Sequence, residues 1–224
     1  MDYLVAMSLS NQQIIEILEP FVSDHKQALI DEVLAKRTRH VTLAFEDIDK
    51  PHNVSAVLRT AECMGIQDLH FIKNNKTYSV NKRIVHGAAK WVDMHHYSEP
   101  ENNVEHCYQH LHEKGYTIYA TSLHETAKSI YEVDPSLKTA IVFGTEAKGI
   151  SEKAGNLADE YVHIPMAGFT ESFNLSVSAT ICLTVLKGGS GSWPSLSEME
   201  KQELRANWYR KIVREADKIL EHKS

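Results

Sequence analysis

The sequence lacks any apolar run long enough to cross a membrane. Although 42% of its 224 residues are hydrophobic, no stretch approaches the roughly 20 apolar residues of a spanning helix. The first ten residues have no basic flank and few apolar side chains, so they do not form the pattern of a signal peptide. These absences predict a cytoplasmic protein. The apolar content suits one compact domain with terminal helical extensions.

Cysteine is scarce, and no metal-binding spacing is present. The three cysteines, Cys63, Cys107 and Cys182, are far apart and lie in helical patterns, which predicts reduced packing residues. Histidine is abundant, with 13 residues, and His106 and His110 share a helical face at a spacing of four. Since no third ligand follows at a known zinc spacing, the sequence predicts no metal site.

Positive charge is in the minority. The 24 Lys and Arg residues face 30 Asp and Glu residues, and the formal net charge is −6. Because a nucleic-acid partner normally needs a basic surface, any such surface has to be local. Each basic cluster is equally typical of a solvated face. The candidate clusters include Lys36, Arg37 and Arg39, and further along the chain Lys82 and Arg83.

Strands and helices are predicted to alternate through the middle of the chain. A strand at 41–45, a helix at 53–64 and a strand at 69–72 form a βαβ unit, and another strand follows at 117–121. This alternation predicts an α/β fold with a mostly parallel sheet that helices cover on both faces.

The flanks of this region predict three parts. Residues 1–38 are expected to form an N-terminal helical extension, and residues 39–187 the central domain. Residues 188–224 are expected to hold a linker, the Gly and Ser run at 188–192, followed by a C-terminal helical extension. A further short helix is predicted at 80–86.

One stretch couples a strand to a helix through an unusual loop. The strand ends at Pro165, which lacks an amide donor, and the helix begins at Asn174. The loop between them carries no charge except Glu171. Ser172 and Asn174 are typical helix caps, so a capping role competes with a role in a site.

A second stretch places glycine at the end of a strand. An apolar strand that starts near Ala140 runs directly into Gly144, followed by Glu146 and Gly149. Glycine at the carboxyl edge of an α/β sheet lets backbone come close to a small molecule. This pattern predicts a ligand site but is weak by itself.

A third stretch is a short amphipathic helix. Pro51 precedes it, Asn53 is predicted as its cap, and Gly65 closes it. Its polar side carries Arg59 and Glu62, whose spacing of three also permits a plain surface ion pair.

Taken in this order and spacing, the three stretches resemble the SpoU/TrmH family of RNA ribose 2′-O-methyltransferases, which belongs to the knotted SPOUT superfamily. The resemblance covers roughly residues 37–190, with motifs at 53–59, at 143–149, and at 164–166 together with 171–176. The run 39–53 most resembles the branch that modifies the D-loop guanosine of tRNA.

The resemblance implies S-adenosylmethionine as the methyl donor, and RNA as the substrate of a homodimer. The RNA is tRNA in the first place, with ribosomal RNA as the alternative. It also implies a C-terminal trefoil knot, and an N-terminal extension that helps to hold tRNA. The residues implied to be catalytic are Arg59, Asn53, Glu146, Ser172 and Asn174, and those implied to bind the cofactor are Thr121, Gly144, Ile164, Met166 and Phe173.

Methyl transfer to a ribose hydroxyl needs positioning and a proton acceptor. The resemblance assigns the proton to Arg59, although bidentate binding of the adjacent phosphate suits a guanidinium better. Both roles stay open. Two other functions compete with this one: a non-catalytic knotted RNA-binding protein, against which the complete set of five residues speaks, and a Rossmann or flavodoxin-like nucleotide binder. The second lacks a phosphate-binding glycine loop.

Overall fold

The computed structural model of the chain describes residues 9–48, 50–74 and 87–223. It comprises two compact units. The central unit runs from Thr38 to Pro194, and the terminal unit joins the residues up to Arg37 to those from Ser195 onward. The helix predicted at 80–86, which includes Lys82 and Arg83, lies outside the described residues.

The described residues form seven strands and eight α-helices. In chain order they are α1 (Asn11–Leu18), α2 (Asp24–Leu34), β1 (Val41–Glu46), α3 (Pro51–Met64), β2 (Asp68–Ile72), β3 (Asp93–Tyr97), α4 (Asn103–Glu113), β4 (Thr117–Thr121), β5 (Lys128–Ser129), β6 (Thr139–Phe143), α5 (Glu152–Leu157), β7 (Glu160–His163), α6 (Leu175–Ser190), α7 (Glu198–Ile212) and α8 (Ala216–Glu221). None of these helices has the length and apolar composition that a bilayer crossing requires.

All seven strands belong to one sheet, in the order β3-β2-β1-β6-β4-β7-β5, and every neighbouring pair is parallel. Leu43 of β1 pairs with Leu69 of β2 on one side and with Ile141 of β6 on the other. Parallel neighbours need crossover connections, which place helices over the sheet. The predicted α/β class with a parallel sheet is confirmed.

Alternate residues of the central strands fill two separate cores. Leu43 and Phe45 are buried with Leu58 of α3 on one face of the sheet. Ala44, between them, is buried with Leu111 of α4 on the opposite face. Burying a Leu or Phe side chain contributes roughly 1.5–3 kcal/mol, so both faces of the sheet need a helical cover.

The glycine-rich segment at 188–192 is not a linker over most of its length, because α6 continues as far as Ser190. A side chain at Gly189 would lie 3.1 Å from the ring of Pro135. Glycine at this position therefore permits close packing. The helix ends at Gly191, whose φ of 71° favours glycine. The predicted linker is wrong for residues 188–190.

The terminal unit packs helices from both ends of the chain. α1 contacts α7 and α8, and α2 contacts α7. Leu18, Trp208 and Leu220 are buried there, and the side chains of Gln12 and Gln202 form a hydrogen bond of 2.6 Å. The apolar stripes of these amphipathic helices are thus covered within the unit.

Candidate functional site

A cavity of 470 Å³ lies at the carboxyl ends of β4, β6 and β7. Small-molecule sites typically occupy roughly 300–1,000 Å³. The carboxyl edge is also where parallel α/β sheets bind ligands. All five residues predicted to contact the cofactor line this cavity: Thr121, Gly144, Ile164, Met166 and Phe173.

Gly144 lets the loop after β6 fold back on itself. A Cβ atom at this position would lie 2.0 Å from the carbonyl carbon and oxygen of Gly149. Thr145 and Gly149 exchange two backbone hydrogen bonds of 2.9 Å, and Gly149 has a φ of 66°. The sequence suggested that Gly144 admits a ligand. The group that approaches it most closely is the chain's own backbone.

Glu46 anchors the far end of the same loop, a role that no sequence motif indicated. Its buried carboxylate accepts hydrogen bonds of 2.7 Å from the backbone N–H and the hydroxyl of Ser151, the N-cap of α5. It also accepts one of 2.8 Å from Nδ2 of Asn74. The available signal was a carboxylate at the buried end of an apolar strand.

Three of the five predicted catalytic residues form one hydrogen-bonded group, here called the amide–carboxylate network. Nδ2 of Asn53 donates to Oε1 of Glu146 at 2.8 Å. Nδ2 of Asn174 donates to the same oxygen at 3.1 Å and to Oδ1 of Asn53 at 3.3 Å. Asn53 is buried in the first turn of α3, whose N-cap is Lys50. The prediction that Asn53 caps this helix is wrong.

Asn174 is both a helix cap and a member of the network. Its Oδ1 accepts from the backbone N–H of Ser176 at 3.0 Å and from the Ser176 hydroxyl at 2.7 Å. Its amide nitrogen points the other way, to Glu146 and Asn53. The capping interpretation is therefore confirmed for Asn174, and its remaining hydrogen bonds leave the role in a site a prediction.

Glu146 is held in its ionised form. The hydrogen bond from the Lys50 ammonium, followed by the one from Asn53, lowers the pKa of the Glu146 carboxyl below its ordinary value. A carboxylate that is ionised at neutral pH accepts hydrogen bonds and has no proton to give. Glu146 therefore serves as the hydrogen-bond acceptor of the two amides.

The other two predicted catalytic residues stand outside this network. Arg59 is exposed on α3, and its guanidinium makes no ion pair or hydrogen bond with any residue that the structure describes. The alternative pairing with Glu62 is therefore not found there. Ser172 is exposed and lines the cavity.

The basic residues predicted to hold RNA have different environments. Lys36 is exposed and pairs with Glu32 one helical turn earlier. Arg37 is buried, with its guanidinium carbon 5.5 Å from the ring centroid of Trp208. A side chain buried to this extent does not reach a phosphate. Arg37 therefore has a packing role in place of the predicted RNA contact.

Arg39 belongs to a second polar group, at the amino ends of β2 and β3, here called the amino-edge network. Its Nε donates to Asp68 at 2.8 Å and a terminal nitrogen donates to Asp93 at 3.2 Å. Nε2 of His95 lies 2.9 Å from the second oxygen of Asp68. These carboxylates compete with any phosphate for Arg39.

The same edge gathers three imidazoles. His70 stacks on His95 with a centroid distance of 4.7 Å and an interplanar angle of 15°, and His110 of α4 lies within 5.7 Å of both rings. Nitrogen lone pairs of stacked rings run parallel and do not converge on a common point. Among the described residues, no group of His, Cys, Asp or Glu has a geometry that could hold a metal ion.

Comparison with known proteins gives consistent matches. A model of the SpoU rRNA Methylase family matches residues 40–184. A Borreliella burgdorferi protein named "tRNA (guanosine(18)-2'-O)-methyltransferase" is 36% identical over 204 residues, which cover 89% of this chain and 91% of that protein. A Thermus thermophilus protein of the same name is 35% identical over 84% of this chain and 98% of its own length. The crystal structure of the A. aeolicus TrmH/SpoU tRNA modifying enzyme matches with a TM-score of 0.73 at 29% identity, over 89% of this chain and all of that chain.

Proposed function

Because the chain belongs to the SpoU rRNA methylase family, we propose that it methylates a ribose 2′-hydroxyl of tRNA, at guanosine 18 of the D-loop. The substrate assignment rests on the length over which the chain matches its relatives. The chain spans 91% and 98% of two relatives that bear this activity in their names. An unpaired loop nucleotide exposes its 2′-hydroxyl to a protein.

S-adenosylmethionine supplies a methyl group bound to a sulfonium, a leaving group that needs no metal to activate it. The lining of the cavity suits such a ligand. Phe143, Ile164 and Phe173 offer apolar walls for an adenosine ring, and the folded-back loop at Gly144 and Gly149 presents backbone polar groups. A few polar groups set among apolar walls are typical of cofactor sites.

The amide–carboxylate network positions the substrate ribose. Glu146 lies on the cavity wall and fixes the amide groups of Asn53 and Asn174, which leaves them little freedom when a ribose arrives. Such preorganisation lowers the cost of reaching the reactive geometry. Ser172, on the same wall, offers a hydroxyl to the substrate.

Arg59 brings a positive charge that is not engaged by a carboxylate of the described residues. It either binds the phosphate beside the target ribose or takes part in removing the hydroxyl proton. Bidentate phosphate binding depends on the planar guanidinium, which lysine cannot reproduce. Both roles predict that Arg59→Lys loses most of its activity.

The test is transfer of labelled methyl from S-adenosylmethionine to unmodified tRNA and to ribosomal RNA fragments, with the position mapped by resistance to alkaline cleavage. We expect one methylated ribose in the D-loop, and a fall of about 100-fold or more in Arg59→Ala and Asn174→Ala. Asn156→Ala, at an exposed position on α5, is the matched control and should behave as the wild type.

Labelling of ribosomal RNA alone would retain the chemistry and overturn the substrate. Binding of S-adenosylmethionine without transfer to any RNA would favour the non-catalytic alternative. Failure to bind the cofactor, measured by calorimetry, would overturn the enzyme assignment.

Three further properties belong to this proposal: a homodimer, a trefoil knot formed near 140–186, and a cytoplasmic location, where tRNA is processed. Val177, exposed on α6, and the small side chains of Thr60 and Thr180, whose hydroxyls lie 3.5 Å apart, offer a surface for a second copy. A monomeric mass by light scattering would overturn the homodimer. An experimental structure in which the chain forms no knot would overturn the trefoil knot. Recovery of the protein with membranes on cell fractionation would overturn the cytoplasmic location.

A further inference from the structure

Phe169 is the most exposed large apolar residue in the described part of the chain. Its relative exposure is 109%, so no described residue covers its ring. It lies in the loop between β7 and α6, next to Gly168 and Thr170. An apolar ring held in water forgoes roughly 1.5–3 kcal/mol of burial free energy. A partner that covers the ring would recover part of it.

This loop is attached to the cavity on both sides of Phe169. Met166 lines the cavity three residues before it, and Ser172 lines it three residues after. Asn174, just beyond, is fixed by its hydrogen bonds to Asn53 and Glu146. Three extended residues span at most about 11 Å. The backbone of Phe169 therefore lies within about 11 Å of two residues that line the cavity.

The surroundings of the ring limit what can cover it. Gly168, Thr170, Glu171 and Ser172 are small or polar, so Phe169 is the one large apolar side chain of the loop between Met166 and Phe173, both of which line the cavity. A stable protein interface buries about 800 Å² per partner with an apolar centre. A single exposed ring matches one flat partner of similar size, such as a nucleobase.

We propose that Phe169 stacks on the unpaired base of the nucleotide whose ribose is methylated. This inference rests on the function proposed above. A ribose placed at the cavity brings its own base within reach of the planar, apolar ring of Phe169. Aromatic side chains bind unpaired bases in this way, and each stack contributes about 1–3 kcal/mol on alanine substitution. Phe169 is thereby a positioning residue for the substrate.

The test compares four variants in methyl transfer and in RNA binding. Phe169→Ala should raise KM for tRNA by about 5-fold to 150-fold, which is the stacking range converted to affinity, and leave the affinity for S-adenosylmethionine unchanged. Phe169→Trp should keep the wild-type KM, since a larger flat ring can still stack. Phe169→Leu, apolar but not planar, should resemble Phe169→Ala. Tyr131→Ala removes another exposed aromatic ring and should have no effect.

A second readout needs no catalysis. The fluorescence added by Phe169→Trp should be quenched by an unmodified tRNA and by an unpaired oligoribonucleotide of the D-loop sequence, but not by a fully paired RNA duplex. The difference from the wild type isolates this tryptophan from the three native ones.

The outcomes separate this inference from the proposed function. If the wild type methylates tRNA and Phe169→Ala keeps the same KM, with no quenching in Phe169→Trp, the stacking proposal is overturned and the function stands. If no RNA is methylated, the proposed function fails, and quenching by unpaired RNA decides the stacking proposal separately. If Phe169→Ala instead changes the mass measured by light scattering, a second copy of the chain covers the ring and the proposal is overturned.

Discussion

The central unit holds two polar networks at opposite edges of one parallel sheet. The amide–carboxylate network lies at the carboxyl edge and its carboxylate, Glu146, keeps 30% of its side chain exposed. The amino-edge network has Asp68 at its centre, with only 10% of its side chain exposed and both oxygens engaged. The first network faces a cavity and can meet a substrate. The second is closed by its own partners and holds the fold together.

Both carboxylates have a lowered pKa, for different reasons. For Glu146 the Lys50 and Asn53 hydrogen bonds act with little opposition from burial. For Asp68 burial is the largest influence and raises the pKa, but the hydrogen bonds and charges of His95 and Arg39 together outweigh it. Removing a partner should therefore cost stability at the amino edge and alter chemistry at the carboxyl edge.

The largest expected effect is on stability at the amino edge. Asp68→Ala leaves Arg39 and His95 without their shared acceptor. Loss of one partner from a buried ion pair typically costs about 3–5 kcal/mol, so the urea midpoint should fall by the corresponding amount. Asp217→Ala, at an exposed ion pair of 3.8 Å, is the control and should change stability by less than about 0.5 kcal/mol. Equal stability of the two variants would contradict the division between the networks.

Next in size is an effect on activity at the carboxyl edge. In Gly144→Ala the new methyl group collides with the Gly149 backbone, so the loop has to move away. A displacement of about 1 Å at a catalytic site costs on the order of 100-fold in rate, and we expect that loss in methyl transfer, together with weaker binding of S-adenosylmethionine.

Gly168→Ala is the matched control for this loss. A Cβ atom at Gly168 meets only the backbone nitrogen of Thr170, at 3.9 Å, which is an ordinary contact. Its activity should stay within about threefold of the wild type, because nothing has to move. If Gly144→Ala is equally active, the folded-back loop does not shape the site.

The carboxyl-edge network was more accessible to sequence reasoning than the amino-edge network. Asn53, Glu146 and Asn174 each lie in a recognisable motif, and the ends of neighbouring parallel strands bring such motifs together. Their mutual hydrogen bonds were not predictable, because Asn174 could satisfy a helix end without facing Glu146. The α/β class followed from the alternation of strands and helices, which depends on local sequence periodicity alone.

What the sequence could not reveal depends on contacts between distant residues. Arg39 stood in a basic cluster and was predicted to hold RNA, yet Asp68 and Asp93 engage it from 29 and 54 residues away. Arg37 is buried against Trp208 for the same kind of reason. Charge patterns report composition along the chain, while exposure depends on tertiary packing.

The third effect is a pH dependence of stability at the amino edge. Burial, with the nearby charge of His95, lowers the pKa of His70 from 6.5 to about 3. The unfolded chain therefore takes up a proton at His70 below pH 6.5, whereas the folded chain stays neutral. The stability present above pH 6.5 is lost as the pH falls from 6.5 towards 3, and the loss at pH 5.5 is about 1.4 kcal/mol.

Urea unfolding at pH 7.5 and 5.5 measures this loss. His70 is faced by Asp68 on its own strand, by His95 and Tyr97 on β3, and by His110 on α4. His70→Gln keeps a hydrogen-bonding group beside Tyr97 and should remove about 1.4 kcal/mol from the pH difference. His222→Gln, at an exposed position, should leave it unchanged. A pH difference that persists in His70→Gln would assign the titration to another group.

The smallest effect is at the carboxyl edge and concerns the acid limb of activity. Lys50→Met removes the ammonium that contributes most to the low pKa of Glu146, so Glu146 takes up a proton at higher pH. The carboxylate then stops orienting Asn53 and Asn174 at a higher pH than in the wild type. The acid limb of kcat/KM should therefore move to higher pH, while the rate at neutral pH changes by a factor of about two, as expected for an exposed ion pair.

Lys153→Met, which breaks the exposed pair with Glu105, should leave the limb in place. A limb that stays fixed in Lys50→Met as well would mean that Glu146 does not limit activity in acid, and that the amides keep their orientation without its charge.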